Sequence, residues 1–261
     1  MPANFAHTLF GREVLAILPA NVKRVAELNR NAFDIGLHGP DIYFFYKPFS
    51  KNKIREIGGL IHQRNADEFL SKAKKIIKRT SDNELYSYAA GFICHFMLDS
   101  ECHPYIAQKI SQSGVSHAKI EAEFDRKLML ENGLDPFSYN TAAYLNPTRA
   151  LCEKIAMLYP VATGKDVYNS IKSMKKYTGL FVCNNGLKRS ALYFLMDLSK
   201  SKKYHDIILT PEPDSCCSDS NARLSELFNA AIAPTAELIE NYCKGIPNET
   251  ELNGRFQRNF E

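Results

Sequence analysis

The chain has 261 residues, 45% hydrophobic and 24% charged, the balance of a folded globular protein and not of a disordered or fibrous one. Its 33 basic and 29 acidic residues leave a net charge of +4, too small an excess to predict nucleic-acid binding. Seven cysteines without regular spacing argue against a secreted disulfide framework and for reduced thiols in the cytoplasm.

From the N-terminus, MPANFAHTLFGREVLAIL has no basic segment ahead of an apolar core and does not read as a signal peptide. Gly36–Asp41 reads as a loop with His38 in solvent, and Ile42–Tyr46 as the single candidate strand. Phe69, Ala73, Ile76 and Ile77 mark a helix whose Lys74, Lys75, Lys78 and Arg79 form a solvated face. Leu85, Ala89, Phe92 and Phe96 mark the next helix, over Glu84–Asp99. Gly91 and His95 interrupt this longest apolar stretch, so it cannot span a bilayer. A helix over Ser116–Glu131 should stop at Asn132-Gly133. Further helices are expected around Arg149–Leu158, Ala191–Ser199 and Leu224–Asn241, with a loop over Thr210–Asn221 and a tail after about residue 245. No repeat and no domain boundary is visible, so the expectation is one all-α multi-helix domain over residues 1–261.

Histidines carry the chemistry. Six of seven fall within the first 117 residues, and two stand four positions before a carboxylate, as His95-xxx-Asp99 and His117-xxx-Glu121. On a helix such pairs share one face and can reach one ion, and imidazole with carboxylate is a donor set that zinc accepts. His103 follows Asp99 by four, and Pro104 predicts that it stands at a helix end.

The segments GFICHFMLDSECHPYI and SHAKIEAEFD resemble the zinc-dependent bacterial phospholipase C family, an all-α fold of the type shared with P1 nuclease. In the family's ligand order this chain offers His7, Asp41, His62, His95, Asp99, His103, His117 and Glu121. The resemblance implies two or three Zn²⁺ ions. His62, His95 and Asp99 would hold one, with Asp99 bridging. His103, His117 and Glu121 would hold a second, and His7 would help bind a third. Asp41 would be a ligand or the catalytic general base. The implied reaction is metal-assisted hydrolysis of a phospholipid or another phosphodiester. It implies at most peripheral membrane contact and no stable nucleic-acid complex. Two alternatives stay open: a nuclease or phosphoesterase on the same scaffold, and a non-catalytic, metal-stabilised binding protein. The oligomeric state is not legible.

The chain departs from the family pattern in two places. Secreted members ligate the third zinc through an N-terminal Trp, whereas this chain has no Trp and would offer the amine of Pro2. The Tyr that follows the Asp41-like residue in the secreted enzymes is Ile42 here, so a choline preference does not transfer. Other features read as structural. Cys94 and the run Tyr43–Tyr46 belong to packing, Cys216-Cys217 to a polar loop, and His205 stands alone at the surface. Thr163-Gly-Lys-Asp166 is not a phosphate-binding loop, and Gly114-Val-Ser116 is not a nucleophile elbow.

Overall fold

In a computed structural model, which describes residues 4–159, 161–248 and 250–261, every regular element is helical. The longest early helix, α6 (Asn83–Ser113), is the axis of the fold. It is buried almost continuously from Leu85 to Ser100 because helices pack on it from several sides. These include α1 (Asn4–Ile17), α2 (Ala20–Leu28), α3 (Arg30–Gly36), α5 (Ala66–Thr80) and α7 (His117–Glu131). Asp82 starts α6 by accepting from the backbone N–H groups of Glu84 and Leu85, and Gly114 (φ +70°) ends it. α3 crosses it backbone to backbone: a Cβ on Gly91 would sit on the carbonyl of Phe33.

The expected strand is absent. Gly39–Phe45 forms a 3₁₀ helix, entered by Gly39 at φ +45° with Pro40 in its first turn. The run Ile-Tyr-Phe-Phe-Tyr does not alternate apolar with polar, and no strand among the described residues could pair with it. α4 (Lys53–Gln63) follows and packs against this turn.

α6 also runs through Pro104, so His103 is not at a helix end. Pro104 cannot donate to the carbonyl of Ser100, one turn back. Arg258 fills the gap, its Nη2 donating to that carbonyl at 3.0 Å. The C-terminal segment, expected as a tail, is thereby part of the core. α11 (Ser218–Asn248) extends beyond the expected range and absorbs the end of the loop at Thr210–Asn221. After it, a 3₁₀ turn at Gly254–Gln257 leads to the fully buried Phe260.

Later in the chain, α8 (Arg149–Ala156) and α9 (Gly164–Phe181) pack on each other. Thr163 and Asp166 form a reciprocal cap at the start of α9, the structural role of the segment that mimics a phosphate loop. α10 (Gly186–Leu198) contributes Leu192 and Met196 to a small cluster with Cys183 and Ile208, separate from the main core. Lys74 departs from the solvated face expected of it. It is buried, and its ammonium donates to the carbonyl of Thr250 at 2.5 Å, while Lys75, Lys78 and Arg79 are exposed. No helix among the described residues is long and apolar enough to cross a membrane.

Candidate metal centre

One face of α6 presents His95, Asp99 and His103 at successive turns, and α7 presents His117 and Glu121. α1 supplies His7, α4 supplies His62, and the 3₁₀ turn supplies Asp41. The eight side chains, dispersed over 115 positions of sequence, converge. Seven of them line one cleft of about 490 Å³, and His95 lies beneath it.

Three trios have donor atoms within 4.8 Å of one another: Asp41, His62 and His95; His7, His95 and Asp99; and His103, His117 and Glu121. The two oxygens of Asp99 divide between neighbours. Oδ2 faces His95 Nε2 at 3.2 Å and His62 Nε2 at 3.5 Å, while Oδ1 faces His7 Nε2 at 3.2 Å and His103 Nε2 at 3.8 Å. Glu121 Oε1 stands 2.9 Å from His117 Nε2 and 3.6 Å from His103 Nε2. The grouping of His62, His95 and Asp99 implied by the family resemblance is within reach, and Asp41 joins it, its Oδ1 3.0 Å from His62 Nε2.

The donor set fits a divalent cation. Both nitrogens of the fully buried His95 and Oδ1 of Asp41 lack hydrogen-bond partners, so the 3.0 Å approach of His62 to Asp41 is a close contact without hydrogen-bonding alignment. Burial, only partly offset by Asp99 and Asp41, holds His95 down at about 4, so at neutral pH its ring keeps a lone pair to donate. His62 Nδ1 lies 2.7 Å from the carbonyl of Gly58, and His103 Nδ1 lies 2.7 Å from the carbonyl of Phe260. A carbonyl can only accept, so each Nδ1 carries the hydrogen and each Nε2 is turned into the cleft. Clustered imidazole and carboxylate donors of this kind suit zinc.

Gly39 makes the placement of Asp41 possible. A Cβ at that position would come within 2.5 Å of the His95 ring, and the φ of +45° favours glycine. The 3₁₀ turn can therefore pass over His95 and set Asp41 beside it.

Several supporting residues were not foreseen. Asp125, one turn beyond Glu121 in the segment SHAKIEAEFD, accepts from the backbone N–H of Phe5 at 3.0 Å and of Ala6 at 2.8 Å. It ties the start of α1, and so His7, to α7. The i,i+4 spacing from Glu121 was the available signal. Phe260 packs its ring on His62, with centroids 5.0 Å apart, and donates its N–H to the carbonyl of His62. No local pattern marks it. Phe44 lines the cleft, whereas Tyr43 beside it is wholly buried.

Two histidines differ from expectation. His38 is buried, its Nε2 2.7 Å from the hydroxyl of Tyr144, and burial with His7 and His95 nearby pushes it down to about 3. It is therefore a neutral packing residue and not a solvated one. His205 is half-buried and not alone, with Nε2 3.2 Å from Asp197 Oδ1. Cys94 is buried in the core as expected. Ser116 caps α7, accepting from the N–H of Lys119. Pro2 lies outside the described residues.

The model of the zinc-dependent phospholipase C family matches residues 6–178, roughly two-thirds of the chain, and spans all eight candidate ligands. No curated protein and no solved structure matches.

Proposed function

The chain belongs to the zinc-dependent phospholipase C family, and from that premise we propose that it hydrolyses a phosphodiester of the phospholipid type at the cleft. The observation that carries this reading is the convergence of three His/carboxylate trios on one open cavity. Zinc bound there would supply Lewis acidity toward a phosphoryl oxygen and a water-derived nucleophile near neutral pH.

In this reading the residues divide the work by position. His62, His95, Asp41 and Asp99 would hold one ion, and His103, His117 and Glu121 a second. His7, with Asp99 beside it, would help hold a third. Asp99 couples the positions because its two oxygens point to different histidines. The carbonyls of Gly58 and Phe260 fix the rings of His62 and His103, limiting the reorganisation that ligation requires. Asp41 lines the cleft as well as touching the ligand set, so its carboxylate is the candidate to orient the attacking water and hold its proton. His117, the most exposed of the eight, marks the open end through which a diester enters. All seven cysteines are unpaired, which supports a reducing compartment.

Metal analysis of the untagged protein by inductively coupled plasma mass spectrometry tests the first half of the proposal, and a substrate panel tests the second. Zinc bound at a ratio above one per chain, with release of phosphorylated head group from dispersed phospholipid, is expected. A protein that stays metal-free when zinc is offered overturns the proposal. So does one that cleaves single-stranded DNA or 3′-phosphorylated nucleotides and leaves phospholipid intact.

A further inference from the structure

α10 is apolar on its outward face as well as on its buried one. At 100° per residue Leu187, Ala191, Phe194, Leu195 and Leu198 fall on one stripe, and Leu192 and Met196 on the opposite one. A surface helix normally turns polar residues outward along the first stripe. Here Leu187 is 87% exposed, Leu198 73%, Phe194 68% and Leu195 56%. Five of the twelve large hydrophobic side chains exposed among the described residues fall within 180–198. Scattered exposed leucines need no explanation, but a contiguous helical stripe marks an interaction surface.

Charge selects the partner. Between residues 165 and 202 the sequence has eight lysines and arginines against two aspartates, leaving 25 basic and 27 acidic residues in the rest of the chain. The slight positive balance of the protein is thus concentrated in this stretch. Bordering the stripe stand Lys188, Lys200 and Lys202, none within ion-pair distance of a carboxylate among the described residues, while Arg189 points to the other side of the helix and donates to the carbonyl of Leu209. Asp197, the one acid on α10, lies against His205. An apolar helix face bordered by uncompensated cations suits an anionic lipid surface, where the side chains enter the acyl boundary and the cations meet phosphates.

The surroundings place this helix near the cleft. The 3₁₀ turn Lys202–Ile207 packs on both α10 and α7. In it Asp206 accepts from Ser116 Oγ at 2.7 Å, immediately before His117, and the hydroxyl of Tyr204 accepts from Arg55 of α4, the helix of His62. The turn that follows α10 thus links it to α7, which carries His117 and Glu121, and through Tyr204 to α4, which carries His62.

We infer that α10 is an interfacial docking helix that seats the protein on anionic membranes with the cleft beside the lipid. It lies outside the stretch matched by the family model. The inference rests on the proposed lipid substrate only for its purpose, because membrane binding is measurable without hydrolysis.

Co-sedimentation with vesicles containing about one-third anionic lipid, against purely zwitterionic ones, is the test. The full-length protein should pellet with the anionic vesicles, and the triple variant Leu187→Gln/Phe194→Gln/Leu198→Gln should bind at least about tenfold more weakly with an unchanged melting temperature. Lys200→Glu/Lys202→Glu should weaken binding to the anionic vesicles and leave zwitterionic binding unaffected. Equal binding of the triple variant overturns the inference. A protein that ignores vesicles but self-associates, with the triple variant monomeric, assigns the face to a second copy and overturns it too. Retention on single-stranded RNA or DNA and not on vesicles does the same. Vesicle binding without phosphodiester hydrolysis would leave this inference standing and remove the proposed reaction. Hydrolysis of a soluble diester without vesicle binding would do the reverse.

Discussion

In the cleft, three histidines and three carboxylates are buried; on α10, three leucines and a phenylalanine are exposed. Each region inverts the ordinary partition of polar and apolar groups, and each is left incomplete by the chain itself. Buried imidazoles and carboxylates stabilise one another only in part, since neither nitrogen of His95 makes a hydrogen bond although Asp99 lies close to it. A divalent ion satisfies them. The exposed stripe cannot be satisfied by an ion; it needs an apolar medium of similar extent. The two regions therefore report partners of different scale, one atomic and one extended, and neither can be inferred from the other.

The contrast breaks first if the cleft tolerates loss of its central carboxylate. Asp99→Ala removes the oxygens facing His7, His62, His95 and His103 together. Hydrolysis should fall by about 10³-fold or more, and zinc content should drop at more than one position. Retention of full zinc content would mean that Asp99 is not the common element. Metal analysis and initial rates check both.

The same contrast shows what could be read from sequence. His95, Asp99, His103, His117 and Glu121 were legible because helical spacing places them on common faces, and the order of the remaining three followed from resemblance. His38, Lys74 and the C-terminal segment were not. His38 acquires a buried partner from Tyr144, 106 positions away, and Lys74 a carbonyl from Thr250, 176 positions away. Pro104 suggested a helix end because the compensating donor, Arg258, lies 158 positions from Ser100. The exposed stripe of α10 was hidden differently. Its helical period was visible, but period alone does not say which face is buried, and here both faces are apolar.

Support for the cleft from outside the predicted set gives the next effect. Phe260→Ala keeps the carbonyl that accepts from His103 but removes a fully buried ring packed on Phe92, Phe96, His62 and His95. A loss of about 3 kcal/mol in stability is expected, with zinc affinity about tenfold weaker as His62 and His95 lose the ring packed against them. Chemical denaturation and competition with a chelator measure the two. A stability loss with unchanged affinity would make the C-terminal segment a packing element only.

The pH response sharpens the same point. Burial lowers the basicity of His103, but Asp99, Glu121 and the Phe260 carbonyl outweigh it and carry the ring up to about 9. That is above the ordinary 6.5, so in the metal-free protein the protonated ring stabilises the fold fully below about 6.5. This contribution is lost as pH rises through about 9. Zinc requires the neutral ring, so its affinity should climb across that window by about tenfold per pH unit for each proton released. Calorimetry in buffers of different ionisation enthalpy counts the protons. A flat affinity profile would show that His103 is not among the ligands.

The smallest effect is expected on α10. Leu187→Gln and Leu198→Gln replace side chains that are 87% and 73% exposed, so the folded state loses almost no burial, and glutamine is close to leucine in helix propensity. Stability should stay within about 0.5 kcal/mol of the parent, and turnover of a soluble diester should be unchanged. Leu192→Ala, one turn away on the opposite face and packed in the cluster with Cys183, Met196 and Ile208, should cost about 2 kcal/mol or more. The two faces of one helix are thus separable by denaturation alone. If Leu187→Gln destabilised the protein as much as Leu192→Ala, the stripe would be packed in the folded chain, and the cleft would be the only region still requiring a partner.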